Sequence, residues 1–362
     1  MYGGITMIEK MIADRKLPSL FTLQEGTTIK CAGDWQRRRD ELIEILSREE
    51  YGFTPEAPEK VEGVVISSEK AFAGKAMQSV ICIGFDTPGG RFSFPFTLLA
   101  PVNASRVPAF LAISFRPEIP DKYLPAEEII DRGYAVAVLH YNDVTTDNGE
   151  WDGIAAMYPR DEKTGWGKIG MWAFAASRVM DYLQTREEID PLRVCVTGHS
   201  RLGKTALWCA AQDERFSMAV SNDSGSSGAA ISRDKVGESV KDITHTFPYW
   251  FCGNYAQWAE REHDMPFDQH MLLGLIAPRK LYVCSAEEDE WADPVSEFLC
   301  CAAAGEVWQL MGGTGFASGN KLPAVGKALA DGDVGYHVRA GSHFFSRTDW
   351  LYHMEYRERK GV

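Results

Sequence analysis

The chain lacks most of the features that would tie it to a membrane, to nucleic acid or to a metal. Nowhere in its 362 residues do about 18 apolar residues run unbroken, so nothing reads as a membrane-spanning helix. Cations are in deficit. The 38 Lys and Arg against 51 Asp and Glu leave a formal net charge of −13, without the clustered positive charge that nucleic acid or an anionic membrane requires. Cysteines at 31, 82, 195, 209, 252, 284, 300 and 301 form no Cys-x-x-Cys pair. Cys82, Cys195 and Cys284 lie in apolar runs, and the set reads as buried free thiols rather than a disulfide frame or a zinc site. No two histidines have the His-x-x-x-His spacing of a helical metal site, so no metal is expected. The first ten residues lack a charged segment followed by an apolar core. No signal peptide is visible, which points to the cytoplasm, or to a secreted or periplasmic location if the chain is a processed form. Internal repeats and low-complexity tails are also missing.

What remains is ordinary globular composition, 45% hydrophobic and 25% charged. The length fits one large α/β domain with insertions, or two smaller ones. Residues 1–33 read as an irregular extension, and residues 34–362 as a single domain. Trp35, Leu42, Ile43, Ile45 and Leu46 recur at helical spacing and predict an amphipathic helix over 34–50. Three β-rich runs, 61–67, 77–84 and 91–99, predict an antiparallel lead-in. Strands then alternate with helices: strands near 109–114, 134–140, 193–197, 217–221, 279–285 and 335–339, with long helices over 167–185 and 204–212. That alternation predicts a mostly parallel central sheet with helices on both faces, a three-layer sandwich, with functional loops at the strand C-terminal ends. Residues 232–270, rich in aromatics and charge, read as a helical insertion over the sheet edge and the site.

The stretch Val194–Trp208 organises the rest. It is a buried strand, a Gly-flanked turn and a run of helix formers, with Ser200 at the tip. A serine there is exposed beside the positive end of a helix, where acyl-transfer chemistry places a nucleophile. The same pattern also fits a tight turn whose serine caps a packing helix. The elbow formula Gly-x-Ser-x-Gly is not obeyed, since Leu202 takes the fifth position and the glycine follows at 203. Asp223, Asp289 and His343 each follow a later predicted strand, so the order Ser…Asp…His is that of the α/β-hydrolases. A serine hydroxyl needs an imidazole to take its proton, and the imidazole needs a carboxylate to fix its tautomer. Asp223 and Asp289 serve equally well as helix caps or turn carboxylates on this reading. The Arg201 amide at the helix start would help hold an oxyanion. His199, next to Ser200, is expected to pack beneath the turn because successive strand residues face opposite ways.

Gly198-His199-Ser200-Arg201-Leu202-Gly203-Lys204 closely resembles the elbow of the glucuronoyl esterases, carbohydrate esterase family 15, which reads Gly-x-Ser-Arg-x-Gly-Lys. Further blocks look like the family's: Trp172-Ala173-Phe174, 190–200, 221–225, Gly237-Glu238, 247–251, 268–270, 277–279, 289–294, and Gly335-Tyr336-His337 with His343 and Asp349-Trp350. The resemblance spans roughly residues 35–355. It implies an α/β-hydrolase fold and cleavage of the ester joining 4-O-methyl-glucuronic acid on xylan to lignin alcohols. It implies Ser200 as nucleophile, His343 as base and the Arg201 side chain on the oxyanion, with Lys204, Glu238 and Trp291 contacting the uronic acid. The acid is less settled, because the family's carboxylate after the strand that follows the elbow matches Asp223, whereas a later-loop acid matches Asp289. Asp289 is expected to carry most of the orienting role, with Asp223 in support. One departure stands at Ile113-Ser114-Phe115-Arg116-Pro117, where relatives carry an Asn- and Gly-containing motif, which leaves the native leaving group open.

Two competing readings use the same residues. One is an esterase acting on acetyl or other small esters of carbohydrate. The other is a non-catalytic carbohydrate-binding protein that retains the hydrolase fold. Triad chemistry requires no cofactor, and the expected partner is a carbohydrate ester derived from glucuronoxylan.

Overall fold

A computed structural model describes residues 6–362. Its sheet begins with the expected antiparallel lead-in: β1 (Glu62–Ala71), β2 (Ala76–Thr87) and β3 (Gly90–Pro101). Then come β4 (Val107–Ser114), β5 (Ala135–His140), β6 (Ile189–His199), β7 (Met218–Asn222), β8 (Lys280–Ala286), β9 (Lys327–Leu329) and β10 (Val334–Arg339). The ten strands lie in the order β1-β2-β3-β5-β4-β6-β7-β8-β10-β9. From β5 to β10 the neighbours are parallel, and β9 closes the far edge antiparallel to β10.

Alternation along each strand divides the core between the two faces, because successive side chains point oppositely. Ala135, Ala137 and Leu139 of β5 join Val194 and Val196 of β6 in one apolar cluster. Val136, Val138 and Cys195 belong to the other. The first cluster is covered by α2 (Ala32–Leu46), α4 (Lys168–Leu183), α5 (Arg201–Gln212), α7 (Gln269–Gly274) and α8 (Pro294–Leu310). The second is covered by α3 (Ala126–Asp131) and α9 (Arg347–Lys360), through Ile129, Ile130, Trp350, Met354 and Tyr356. Fully buried Trp208 stacks on Tyr51 with ring centroids 4.5 Å apart, pinning α5 under the segment after α2.

Three details differ from the sequence reading. Residues 6–33 are not irregular throughout: α1 (Met7–Asp14) starts at a Thr6–Glu9 capping box, and Ile8, Leu20, Leu23 and Ile29 are buried in the main core. The helix expected over 34–50 is α2 continued by one wider π-type turn, Ser47–Tyr51. Residues 232–270 are less helical than expected, holding α6 (Val240–Thr246) and three short 3-10 turns. Proline at 248 and glycine at 253 each stand in the first turn of a 3-10 segment, where a longer helix would have had to continue. No helix among the described residues is long and apolar enough to cross a membrane.

Candidate active site

The tips of β6, β7 and β8 are stepped by backbone hydrogen bonds that run past the strand ends. The Ser200 amide donates to Asn222 O at 2.8 Å and the Asp223 amide to Cys284 O at 2.8 Å. Ser200 sits at φ 58°, ψ −128°, and Asp223 also has a positive φ, 44°. Both are conformations that a side-chain-bearing residue holds only when its surroundings impose them, at about 1–3 kcal/mol each. The imposing contacts are visible at the elbow. A Cβ on Gly198 would lie 2.1 Å from Leu202 O, and one on Gly203 would lie 3.0 Å from Ser221 Oγ. Strand and helix therefore meet with no room for side chains between them.

His343 follows β10, and its Nδ1 lies 2.6 Å from Asp289 Oδ2 in the loop after β8. The other Asp289 oxygen accepts the Ala292 amide at 3.2 Å. Asp289 is buried whereas His343 is exposed. Asp223 is buried beside them, but its Oδ2 accepts from the Phe344 amide (3.3 Å), Arg339 Nη2 (3.4 Å) and Asn222 Nδ2 (3.0 Å) instead of the imidazole. Burial, with the Glu297 charge adding to it, pushes the Asp223 carboxyl well above its usual range. Asp223, Asp289 and His343 offer ligand atoms within 4.8 Å of one another, the one such group among the described residues. The imidazole nitrogen on that side already pairs with Asp289.

All eight residues singled out in the sequence line one cavity of about 340 Å3: Ser200, Arg201, Lys204, Asp223, Glu238, Asp289, Trp291 and His343. Lys204 is buried, and Nζ donates to Ser224 O. Burial lowers its pKa, opposed by the nearby Glu238 and Glu297 charges. Glu297, fully buried behind the cavity wall, accepts the Gly225 amide at 2.9 Å, and burial raises its pKa to about 7. Trp291 is 57% exposed and no part of the core. Arg201 Nη1 donates to Asp147 Oδ2 at 2.6 Å, and its guanidinium lies 5.1 Å from the Phe115 ring and 4.9 Å from that of Trp250.

A second cavity, about 400 Å3, meets the first at Ser200, Arg201 and His343, and is otherwise lined by Phe115, Arg116, Lys122, Tyr123 and His199. His199, expected beneath the turn, is buried but borders this cavity, with its ring centroid 4.5 Å from that of His343. Burial, and then the neighbouring His343 charge, hold its pKa well below the usual value, so it is neutral.

Arg339 is a residue that sequence reasoning missed. From the end of β10 its Nε donates to both Asp349 oxygens (3.0 and 2.8 Å), and its Nη2 reaches Asp223, Ser342 O and Phe344 O. One guanidinium thus grips the chain on both sides of His343. Burial works against the Asp349 charge, but the His337 hydrogen bond and the His337 and Arg339 charges outweigh it and hold this carboxyl at about 2. Asp147 is the other missed residue. Its only signal was a place in an Asp-, Asn- and Gly-rich loop after a strand.

The chain is similar to known proteins in both sequence and fold. Residues 83–312 match the family described as glucuronyl esterase, fungi. Over 398 aligned residues the chain is 33% identical to the carbohydrate esterase MZ0003 of an unknown prokaryotic organism, covering 98% of this chain and 92% of that protein. The solved glucuronoyl esterase from Solibacter usitatus superposes with a TM-score of 0.88 at 35% identity, covering 96% of this chain and 98% of that one. A 4-O-methyl-glucuronoyl methylesterase of Podospora anserina is 29% identical over 308 residues, covering 81% of this chain and 60% of that protein. A mostly parallel sheet with a serine elbow, followed in the chain by an acid and a histidine at later strand ends, defines an α/β-hydrolase. Within that class, the chain belongs to the glucuronoyl esterase family, carboxylic ester hydrolases of carbohydrate.

Proposed function

We propose that the protein hydrolyses 4-O-methyl-glucuronoyl esters by acyl transfer to Ser200. The observation that carries this reading is the pair of cavities meeting at Ser200: one has a buried Lys204 and a Glu238 beside an exposed Trp291, the other has aromatic walls. A neutral acetyl group has nothing to satisfy Lys204 and Glu238, whereas sugar hydroxyls do, and buried polar groups discriminate only when substrate pairs them.

In this reading the uronate ring lies over Trp291 and the alcohol points toward Phe115 and Tyr123. His343 takes the Ser200 proton as Oγ attacks the ester carbonyl, and Asp289 holds the imidazole tautomer and its charged form. The tetrahedral oxyanion is met by the Arg201 amide, the first of α5 and without an intrahelical acceptor, and by the Arg201 guanidinium. Collapse releases the alcohol, which leaves with the proton from His343. Water then attacks the glucuronoyl-Ser200 ester with His343 again as base, returning free serine and the uronic acid. Asp223, tied to Arg339 and the Phe344 amide, supports the loop rather than the imidazole.

Turnover of benzyl glucuronate and of p-nitrophenyl acetate tests the reading, with Ser200→Ala as control. The expected result is a far higher kcat/KM for the glucuronate, falling by at least about 1,000-fold in Ser200→Ala. Hydrolysis of the acetate alone, or of neither ester, would contradict it.

A further inference from the structure

We infer that Asp147 is a positioning residue for the reaction, acting through Arg201; this rests on the oxyanion role proposed for that arginine. Arg201 shares its cavity with Glu238 and Asp289, two carboxylates that would draw a mobile guanidinium away from the Ser200 carbonyl site. Asp147 stands outside that cavity and holds it. Its Oδ2 accepts from Arg201 Nη1 at 2.6 Å and from the Tyr141 hydroxyl at 3.3 Å, and its Oδ1 accepts from Trp250 Nε1 at 2.6 Å. Three donors from three parts of the chain therefore fix both carboxylate oxygens.

The loop that carries Asp147 is itself braced. Asp152 accepts from the Thr145 hydroxyl (2.8 Å), the Thr146 amide (3.0 Å) and the Thr146 hydroxyl (2.7 Å). Trp172 Nε1 donates to Thr145 O at 3.2 Å, and buried Lys168 donates to Thr146 O. The Asp147 amide donates to Asn142 Oδ1 at 3.0 Å. With Nη1 committed to Asp147 and aromatic rings near the guanidinium, Arg201 Nε remains buried without a partner among the described residues. An unpaired buried donor is uncommon in a folded protein, and it shows that the Asp147 contact, rather than full pairing of the guanidinium, sets where this side chain sits. Asp147 thus converts a flexible side chain into a fixed donor, which is worth most in the transition state.

The test is a double-substitution cycle on benzyl glucuronate with Asp147→Asn, Arg201→Gln and the pair. Asp147→Asn keeps the shape and removes the charge. It is expected to lower kcat roughly 10- to 100-fold with KM within about 2-fold of the parent, since misplacement here does not touch Lys204 or Glu238. The pair should lose no more than Arg201→Gln alone. Full kcat in Asp147→Asn beside an impaired Arg201→Gln overturns the inference by itself, as do losses that multiply in the pair. Full activity in Arg201→Gln removes the oxyanion role and the inference with it. Should Asp147→Asn fail to fold, Asp147→Glu is read in the same cycle. It keeps the charge and shifts it by one methylene, and it is held to the same kcat loss and non-additivity.

Discussion

The two buried acids near His343 are separated by their partners rather than by their distance from the imidazole. Asp289 Oδ2 is committed to His343 Nδ1, while Asp223 Oδ2 is committed to Arg339, Asn222 and the Phe344 amide. Only the first can fix the tautomer. Asp289→Asn is therefore expected to cut kcat by about 1,000- to 10,000-fold, the scale for losing the triad carboxylate, and Asp223→Asn by far less. Steady-state turnover of the two variants decides it; a large loss confined to Asp223→Asn would reverse the assignment. At this scale much was legible in the sequence, because Ser200, Asp289 and His343 stand just past strand ends that apolar runs mark. Asp147 and Arg339 were not legible. The partner that ties each to the site is distant in sequence, Arg201 lying 54 residues from Asp147 and Asp223 116 residues from Arg339, so only the fold brings these pairs together.

At the scale of elements, the β6–α5 elbow depends on the side chains missing at Gly198 and Gly203, and most tightly at Gly198. A methyl at position 198 would meet the Leu202 carbonyl at 2.1 Å, and backbone cannot give way as a side-chain tip can. Gly198→Ala is expected to destabilise the protein by about 1–3 kcal/mol and to lower kcat at temperatures where it remains folded, because Ser200 must move with the turn. Denaturant midpoints and turnover, measured together, check this; unchanged values for both would show that the elbow relaxes freely. The parallel strands were foreseen from apolar runs between turn signals, and the elbow from its glycines. The 8-residue α1 was missed because so short a helix depends on a cap and on packing, through Ile8, rather than on a long periodic stripe. The three-residue β9 was missed for a similar reason, since its strand character comes from pairing with β10.

Across the whole molecule, buried acids set how stability responds to pH. Glu50 is fully buried, and burial raises its pKa from 4.5 to about 8, against the Gln269 hydrogen bond and with the Asp268 charge adding to the rise. Between these values the unfolded chain has released a proton that the folded chain keeps, so the unfolded state binds fewer protons and stability falls as pH rises. The contribution is fully present below pH 4.5 and lost through about pH 8. Glu50→Gln, which cannot ionise, is expected to show a shallower fall in stability across that window in melts followed against pH. Parallel curves for the two proteins would exclude an ionising Glu50.

The same scale holds the proposed division of labour between the two cavities: the acyl sugar is assigned to the one lined by Lys204, Glu238 and Trp291, and the alcohol to the one lined by Phe115 and Tyr123. The sequence departure at Phe115-Arg116 falls in the wall of the alcohol side, which is where a changed leaving group would register. A crystal structure of Ser200→Ala with methyl 4-O-methyl-glucuronate bound tests this arrangement most directly. The expected result is the sugar over Trp291 with its hydroxyls on Lys204 and Glu238, the ester carbonyl at Arg201, and the ester methoxy group opening toward Phe115 and Tyr123. A sugar seated instead between Tyr123 and Lys122, with Lys204 and Glu238 left without ligand contacts, would contradict it.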